Sequence, residues 1–418
     1  MTNAPDAGVL DHVNVLDLSW VAAGPLCSVL FAYYGATVVK VESAVRIDVA
    51  RGSPPVAPGG PGIDKSGYFA AMNLGKYGLC LDLNKPGGRE VIDRLVEWAD
   101  IVVEGFTPGT MARWGLDYES LRRRKPAIIM LSLTLQGQTG PDAQMPGYGL
   151  QVHGMSGMAS LIGWPDGPPT GVTLAYPDYV VPMAGAFAAV AALDHRDRTG
   201  QGQHIDLAQM EAMITFTGPA LLDYAVNGRT ELREGNRLMA GDAPSAAPHG
   251  VYPTQGDDRW IAIATFTDDD WRALCGVLGR DDWPADPRFA TLESRCANDA
   301  ELDEAIAAET AQHEGRELMA QLQTAGVAAG VALDQEGLYD DPQLVHRGHF
   351  VPVVHGDFGR HLAELFGARL SATPPVIQRP SPCIGEHNEF VLREILGYPA
   401  EDFDRLVAEG AVEYYGAG

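Results

Sequence analysis

Basic residues and cysteines are scarce in this chain, and each shortage narrows what it can do. Across 418 residues, 30 Lys and Arg stand against 55 Asp and Glu, a net charge of −25. That surplus repels polyanions over most of the surface, so nucleic acid is not an expected partner, and an anionic ligand needs a local basic pocket. The five cysteines, Cys27, Cys80, Cys275, Cys296 and Cys383, are odd in number, scattered and without a CxxC pair. Neither a disulfide framework nor a zinc site is expected from them. No stretch offers the roughly twenty uninterrupted apolar residues of a bilayer span, and Met1–Gly8 has no basic segment leading into an apolar one. The expectation is a soluble, cytoplasmic protein with no membrane partner. Two nucleotide signatures are also missing. After the first strand the sequence runs Ser19-Trp20-Val21-Ala22-Ala23-Gly24-Pro25, which is no GxGxxG fingerprint, and no GxxxxGK[ST] loop occurs.

Apolar residues, by contrast, are plentiful: 46% of the chain is hydrophobic, enough for a large core divided into at least two units. Val13–Leu18 alternates as a strand, Leu26–Tyr34 reads as a short helix closed by Gly35, and Ala36–Glu42 is a second strand. Strand, helix and strand with short connections give a right-handed βαβ unit. The pattern recurs through the strand Leu79–Leu83, the helix Pro86–Ala99, the strand Asp100–Glu104, helices over Pro108–Trp114 and Tyr118–Arg124, and the strand Ala127–Leu133. The fold class is therefore α/β, with a large doubly wound, Rossmann-like domain. After a polar, glycine-rich stretch, a strand at His204–Leu207 leads into a helix over Gln209–Phe216. The domain boundaries read as 1–226 for the large domain, a linker at 227–250, a smaller α+β domain at 251–339 and a second linker at 340–384. Residues 385–418 return to the large domain. The smaller domain takes the strand Arg259–Ala264 and helices Asp269–Leu278 and Glu301–Thr324, and a last helix spans Asn388–Leu396.

The candidate for chemistry is Asp178, in Ala175-Tyr176-Pro177-Asp178-Tyr179, just before an apolar helix that runs to about Leu193. Pro177 holds the preceding residue extended, so the chain turns into the helix near Asp178. A carboxylate there meets unpaired N–H groups and the positive end of the helix dipole, which favour its ionised form. Such a group can attack an acyl carbon. Asp is equally a favoured N-cap residue, and these residues alone leave that structural role open.

Four stretches in order lift the ambiguity. They are Val15–Ser19 with Ala23-Gly24-Pro25 and Gly35–Glu42; Val103–Gly109 with Trp114–Tyr118; Gly137–Pro141 with Pro146-Gly147-Tyr148; and Pro177-Asp178 with Arg198–Asp206 and Ile384–Asn388. With these the chain resembles the class III CoA-transferase family, which also contains the 2-methylacyl-CoA racemases. The resemblance implies that Asp178 is the nucleophile. It implies an acyl-CoA donor and a carboxylic acid acceptor, with coenzyme A as substrate moiety and no permanently bound cofactor or metal. It further implies an intertwined, interlocked-ring homodimer. Arg113 and Lys76 fall where relatives contact the CoA phosphates, and Phe106 and Asn73 where they line the CoA groove. Ser43 stands where relatives often carry a basic residue, so Arg46 or Arg51 is expected to take that duty. Ala22 and Gly149 replace the glutamine and glutamate of formyl-CoA transferases, which makes oxalate a poor acceptor and suggests room for a larger acyl group.

Two alternatives remain at this point. Racemases use a histidine and aspartate pair on the α-proton, with the histidine in a Gly-His-Asp segment; here that segment reads Gly147-Tyr148-Gly149, tyrosine is a poor substitute base, and His153 lies at a different spacing. The chain could also be a non-catalytic subunit of a heteromeric transferase, against which retention of Asp178 argues.

Overall fold

A computed structural model describes residues 8–59, 62–172, 174–230, 233–240 and 243–415. The chain divides into two compact units, one formed by Met1–Ala159, Gly171–Arg229 and Gln343–Gly418, the other by Ser160–Thr170 and Thr230–Pro342.

The first unit is built on β1 (Asn14–Asp17), α1 (Ala23–Tyr33), β2 (Thr37–Glu42), α2 (Gly67–Ala71), β3 (Tyr77–Cys80), α3 (Pro86–Trp98) and β4 (Ile101–Glu104). It continues through α4 (Thr110–Arg113), α5 (Tyr118–Arg124), β5 (Ile129–Thr134), α6 (Gly149–Met155), α7 (Met158–Leu161, whose Ser160 and Leu161 are counted with the other unit), α8 (Tyr176–Thr199), β6 (His204–Ala208) and α9 (Gln209–Ile214). The six strands form one parallel sheet in the order β3-β2-β1-β4-β5-β6. Parallel strands need crossovers, and the crossovers cover both faces, which is why the strands read as nearly continuous apolar runs. The period of two sorts their side chains: Leu16, Val39, Val41, Leu79, Val102 and Met130 meet α3 and α5 through Val91, Leu95 and Leu121. Val15, Val38, Ile101, Val103, Ile129 and Leu131 meet α1 and α8 through Cys27, Phe31, Ala189 and Leu193. A doubly wound sheet is thus present as the sequence indicates, with ends that differ by one to three residues.

Helix α8 is longer than the sequence suggests, 24 residues in place of a start near Asp178 and an end near Leu193. By length and composition it is apolar enough to cross a membrane, the single such helix among the described residues. Its uninterrupted apolar run, Tyr179–Leu193, is nevertheless shorter than the roughly twenty residues of a bilayer span. Its small residues serve packing instead: a Cβ added at Gly185 would stand 3.3 Å from Cys27 Sγ, Leu131 Cδ2 and Leu207 Cδ2, so α8 lies close on α1 and the sheet.

Two further expectations are corrected. Ser160–Thr170, read as part of the large domain, belongs with the smaller unit. Part of the second linker is in fact a β-hairpin, Phe350–His355 with Gly359–Glu364. Val353 and Ala363 of that hairpin pack on Val29, Leu30 and Tyr33, and Tyr33 Oη donates to Glu364 O at 2.9 Å. Its alternation was masked in the sequence by surrounding prolines. The last expected helix is Asn388–Phe390 continued by a π-helical turn over Val391–Ile395, and a helix at Ala400–Ala408 follows that the sequence reading missed.

The second unit is α+β. Strands Ala328–Ala332, Trp260–Ala264 and His249–Pro253 form an antiparallel sheet in that order. Tyr252, Ile261, Ile263, Trp271, Leu274, Leu318 and Leu322 share its core. The helix expected over Glu301–Thr324 is two, Asp299–Thr310 and Gly315–Thr324, because Glu314 caps the second by accepting from Glu317 N–H.

Candidate active site

In an open parallel sheet the crevice lies beyond the carboxyl ends of the strands where the order reverses, here between β1 and β4. A cleft of about 170 Å³ opens there. It is lined by Trp20–Gly24 after β1, Gly105–Pro108 after β4, Leu133–Leu135 at the end of β5, Ala143, Met145–Tyr148, Asp178 and Gln209.

The wall after β1 is fixed by buried charge. Asp17, Lys40 and Lys76 are all fully buried. Lys76 Nζ donates to Asp17 Oδ2 at 2.8 Å, to Pro25 O at 2.9 Å and to Asn73 Oδ1 at 2.8 Å. Lys40 Nζ donates to Ser19 O at 2.8 Å, and Val21 N–H to Asp48 Oδ1 at 3.1 Å. Ser19 N–H in turn donates to Asp17 Oδ1. Between Ser19 and Pro25 the backbone is therefore tied at four points, and it needs to be, because Val21 has φ +68°. A β-branched residue in the left-handed region is strained and persists only where its surroundings over-determine it. Burial alone would raise the Asp17 carboxyl; the ammonium groups of Lys76 and Lys40 overcome it and hold the pKa at about 2.

Asp178 enters the cleft from the first turn of α8. The helix begins at Tyr176 with Ala175 as its N-cap, so Asp178 sits in the first turn and is not the cap residue. Its carboxylate accepts from the Gly149 backbone N–H and from the Gln209 side-chain amide. The approach to Gly149 is so close that a Cβ there would lie 2.5 Å from Asp178 Oδ2. Burial nevertheless raises the Asp178 pKa to about 6, against the pull of those two hydrogen bonds. Burial thus works against the ionised form that the helix terminus is expected to favour, and it is the larger influence on this carboxyl. At neutral pH the group is still mainly the anion. The geometry unites an exposed edge of that anion, a helix N-terminus at Ala22–Gly24 with no side-chain cap, and an apolar wall, an arrangement suited to attack on an acyl carbon.

Known proteins resemble the chain over nearly its whole length. Residues 10–388 match the model of CoA-transferase family III. The chain belongs to that family. Among its relatives, a succinate–glutarate CoA-transferase of Agrobacterium fabrum is 36% identical over 402 residues, covering 94% of this chain and 98% of the relative. A succinyl-CoA–D-citramalate CoA-transferase of Chloroflexus aurantiacus is 32% identical over 403 residues, covering 96% and 98%. Among solved structures, a CAIB/BAIF family protein from Brucella suis superposes with a TM-score of 0.85 at 32% identity, covering 93% of this chain and all of that one. As a family III CoA-transferase, the protein is an enzyme of the CoA-transferase class.

The residues named from the resemblance divide in two. Phe106 lines the cleft, edge-on to Trp20 and Trp114 at 5.7 and 5.2 Å. Arg113 is exposed in the last turn of α4, where it donates to Thr110 Oγ1 at 2.9 Å. Lys76 and Asn73 are corrected: both are sealed in the core and bonded to each other, so they hold the loop after β1 and do not reach a phosphate in solvent. Arg51 is likewise buried, paired with Glu42 Oε2 at 2.7 Å and with Asp64. Arg46 is exposed, with its guanidinium 6.0 Å from the Trp20 ring. The space left by Gly149 is filled by Asp178 itself, so only Ala22 still argues for a larger acyl group. His153 is buried and is not among the residues that line the cleft. Sequence reasoning missed Thr134 and Gln209. Both stand at the carboxyl ends of strands, the one signal by which they could have been found.

Proposed function

We propose that the protein moves CoA from an acyl-CoA donor to a carboxylic acid through covalent intermediates on Asp178. The carboxylate attacks the thioester carbon, the C–S bond breaks, and CoA thiolate leaves behind an aspartyl-acyl anhydride. The thiolate attacks the aspartyl carbonyl, which releases the donor acid and forms an aspartyl-CoA thioester. The acceptor carboxylate then attacks that carbonyl and expels CoA thiolate to give a second mixed anhydride, and the thiolate attacks its acyl carbon, forming the new acyl-CoA and freeing the Asp178 carboxylate. The relay splits one displacement between two anions into easier steps. The observation that carries the reading is the anionic Asp178, backed by Gln209 and the Gly149 N–H, in the crevice at the strand-order reversal. Phe106, Arg113 and Arg46 are our candidates to hold CoA, the two arginines as phosphate partners. The names of the relatives support succinyl-CoA as donor and a short dicarboxylic acid as acceptor. Against α-proton exchange stands the absence of any histidine from the described lining of the cleft. A homodimer is also part of the proposal, supported by apolar residues left exposed on α8 and on Gly218–Asn227.

Asp178→Asn tests the reading. We expect CoA exchange between an acyl-CoA and a carboxylic acid to fall by at least about 10³-fold with folding intact. Exchange at the native rate would contradict it.

A further inference from the structure

We propose that Asp48 and Lys40 are positioning residues for the reaction: together they hold Val21 in a left-handed conformation that it would not keep unaided, and so fix the wall of the cleft that follows β1. The proposal rests on the reading of the Asp178 cleft as the place of CoA exchange. Neither side chain is among the residues that line that cleft. At 1% and 0% exposure both are sealed in the core, so they act through the main chain that they grip.

Lys40 Nζ donates to Ser19 O at 2.8 Å and pairs with Asp48 Oδ2 at 3.3 Å. Asp48 Oδ1 accepts from Val21 N–H at 3.1 Å and from Ala50 N–H at 3.0 Å, the second bond capping the turn Val49–Gly52. One ion pair thus takes a carbonyl with its cation and an N–H two residues later with its anion. That orients the peptide on either side of Trp20, and with it the entry into Val21 at φ +68°. From there the chain folds back on itself: a Cβ added at Gly24 would stand 2.2 Å from Ser19 Cβ. Trp20, Val21, Ala22, Ala23 and Gly24 all line the cleft, so what the pair holds is the cleft wall itself.

Stability is a poor reason for such a pair. Burying two charges costs desolvation, and apolar residues of similar volume are often as stable or more so. A buried pair is better matched to holding one conformation where the chain has another open to it. Val21 has one, because an L-residue prefers negative φ, the more so when β-branched. Released from the pair, the left-handed state falls to about a tenth of the molecules or fewer, and the competent fraction of the enzyme falls with it. Glycine takes either sign of φ about equally. At position 21 it would need no such hold.

A double-mutant cycle over positions 48 and 21 tests this, with succinyl-CoA as donor, glutarate as acceptor, and each variant checked by thermal unfolding. We expect Asp48→Ala to lower kcat/KM by about 10-fold or more with Val21 in place, and by less than about 3-fold in a Val21→Gly background. A role in stability alone would cost the same in both. A crystal structure of Asp48→Ala, which needs no substrate, should show Val21 at negative φ. Equal losses in the two backgrounds, a native rate in Asp48→Ala, or a Val21 still left-handed in that crystal overturns the proposal. If Asp48→Ala does not fold, the cycle is run with Lys40→Met/Asp48→Ala, which removes both charges together, under the same expectations. Should that protein fail to fold even with Val21→Gly, the pair serves the fold and the proposal is overturned. Asp178→Asn is assayed alongside: if it stays active the reading of the cleft fails, and if it is inactive while the cycle shows no coupling only this inference fails.

Discussion

Asp178 is pulled two ways, by burial that disfavours its charge and by two donors that favour it. Burial wins, and the pKa of about 6 has consequences of known sign. A nucleophile must be ionised, so kcat/KM is expected to be full above pH 6 and to fall as pH drops through about 6, well above the ordinary carboxylate range. The phenols of Tyr68 and Tyr179 lie within electrostatic reach of this carboxyl and remain neutral throughout that window. A pH profile flat down to pH 4.5, in a protein shown to stay folded, would contradict the assignment. The same shift means that the folded state holds this proton more tightly than the unfolded chain, so stability is lost as pH rises toward 6. Asp178 is kept at a cost to the fold, as a group retained for reactivity is. Its place before an apolar helix was legible in the sequence, but its protonation was not, because that is set by burial in the fold and by opposing contacts from Gly149 and Gln209, which are distant in the chain.

The loop between β1 and α1 shows how an element is held in an unfavourable shape. Lys76 joins Asp17, Pro25 O and Asn73, and the strained Val21 lies between points anchored by Asp17 and Lys76. Lys76→Met would leave Asp17 buried beside fewer cations, and removal of one partner from a buried pair costs about 3–5 kcal/mol. We expect that loss in chemical denaturation at pH 7, together with reduced kcat, since the released loop forms one wall of the cleft. A variant as stable and as active as the parent would contradict it. Family motifs proved informative about position and less so about role. In Ile384–Asn388, Asn388 Oδ1 accepts from Cys80 N–H at 2.8 Å and ties the C-terminal segment to β3. In the RTGQGQ stretch, Gly200 ends α8 at φ +73°, and a Cβ on Gly202 would stand 1.9 Å from Ile128 O. Lys76 and Asn73 were assigned to the ligand for the same reason: sequence shows that a residue belongs to a motif, and only packing shows which way it faces.

At the scale of the whole molecule, the doubly wound layers followed from the alternation of apolar runs and helices, while the strand order, the hairpin at 350–364 and the place of Ser160–Thr170 did not. Prolines hide the alternation of the hairpin, and nothing periodic marks the unit to which a short segment such as Ser160–Thr170 belongs. Exposed apolar side chains mark another feature of that scale. Phe187 is 77% exposed and Val226 71%, apolar side chains that the proposed dimer would cover. Sedimentation equilibrium is expected to give twice the mass of the 44.7 kDa chain, and a monomer at micromolar concentration would contradict the dimer. The account as a whole depends on residue 178 becoming acylated. Incubation with an acyl-CoA followed by hydroxylamine, then peptide mass mapping, tests this most directly: the account predicts a hydroxamate on Asp178 with release of free CoA. An unmodified Asp178 in enzyme that is turning over, or a hydroxamate on another side chain, would contradict it.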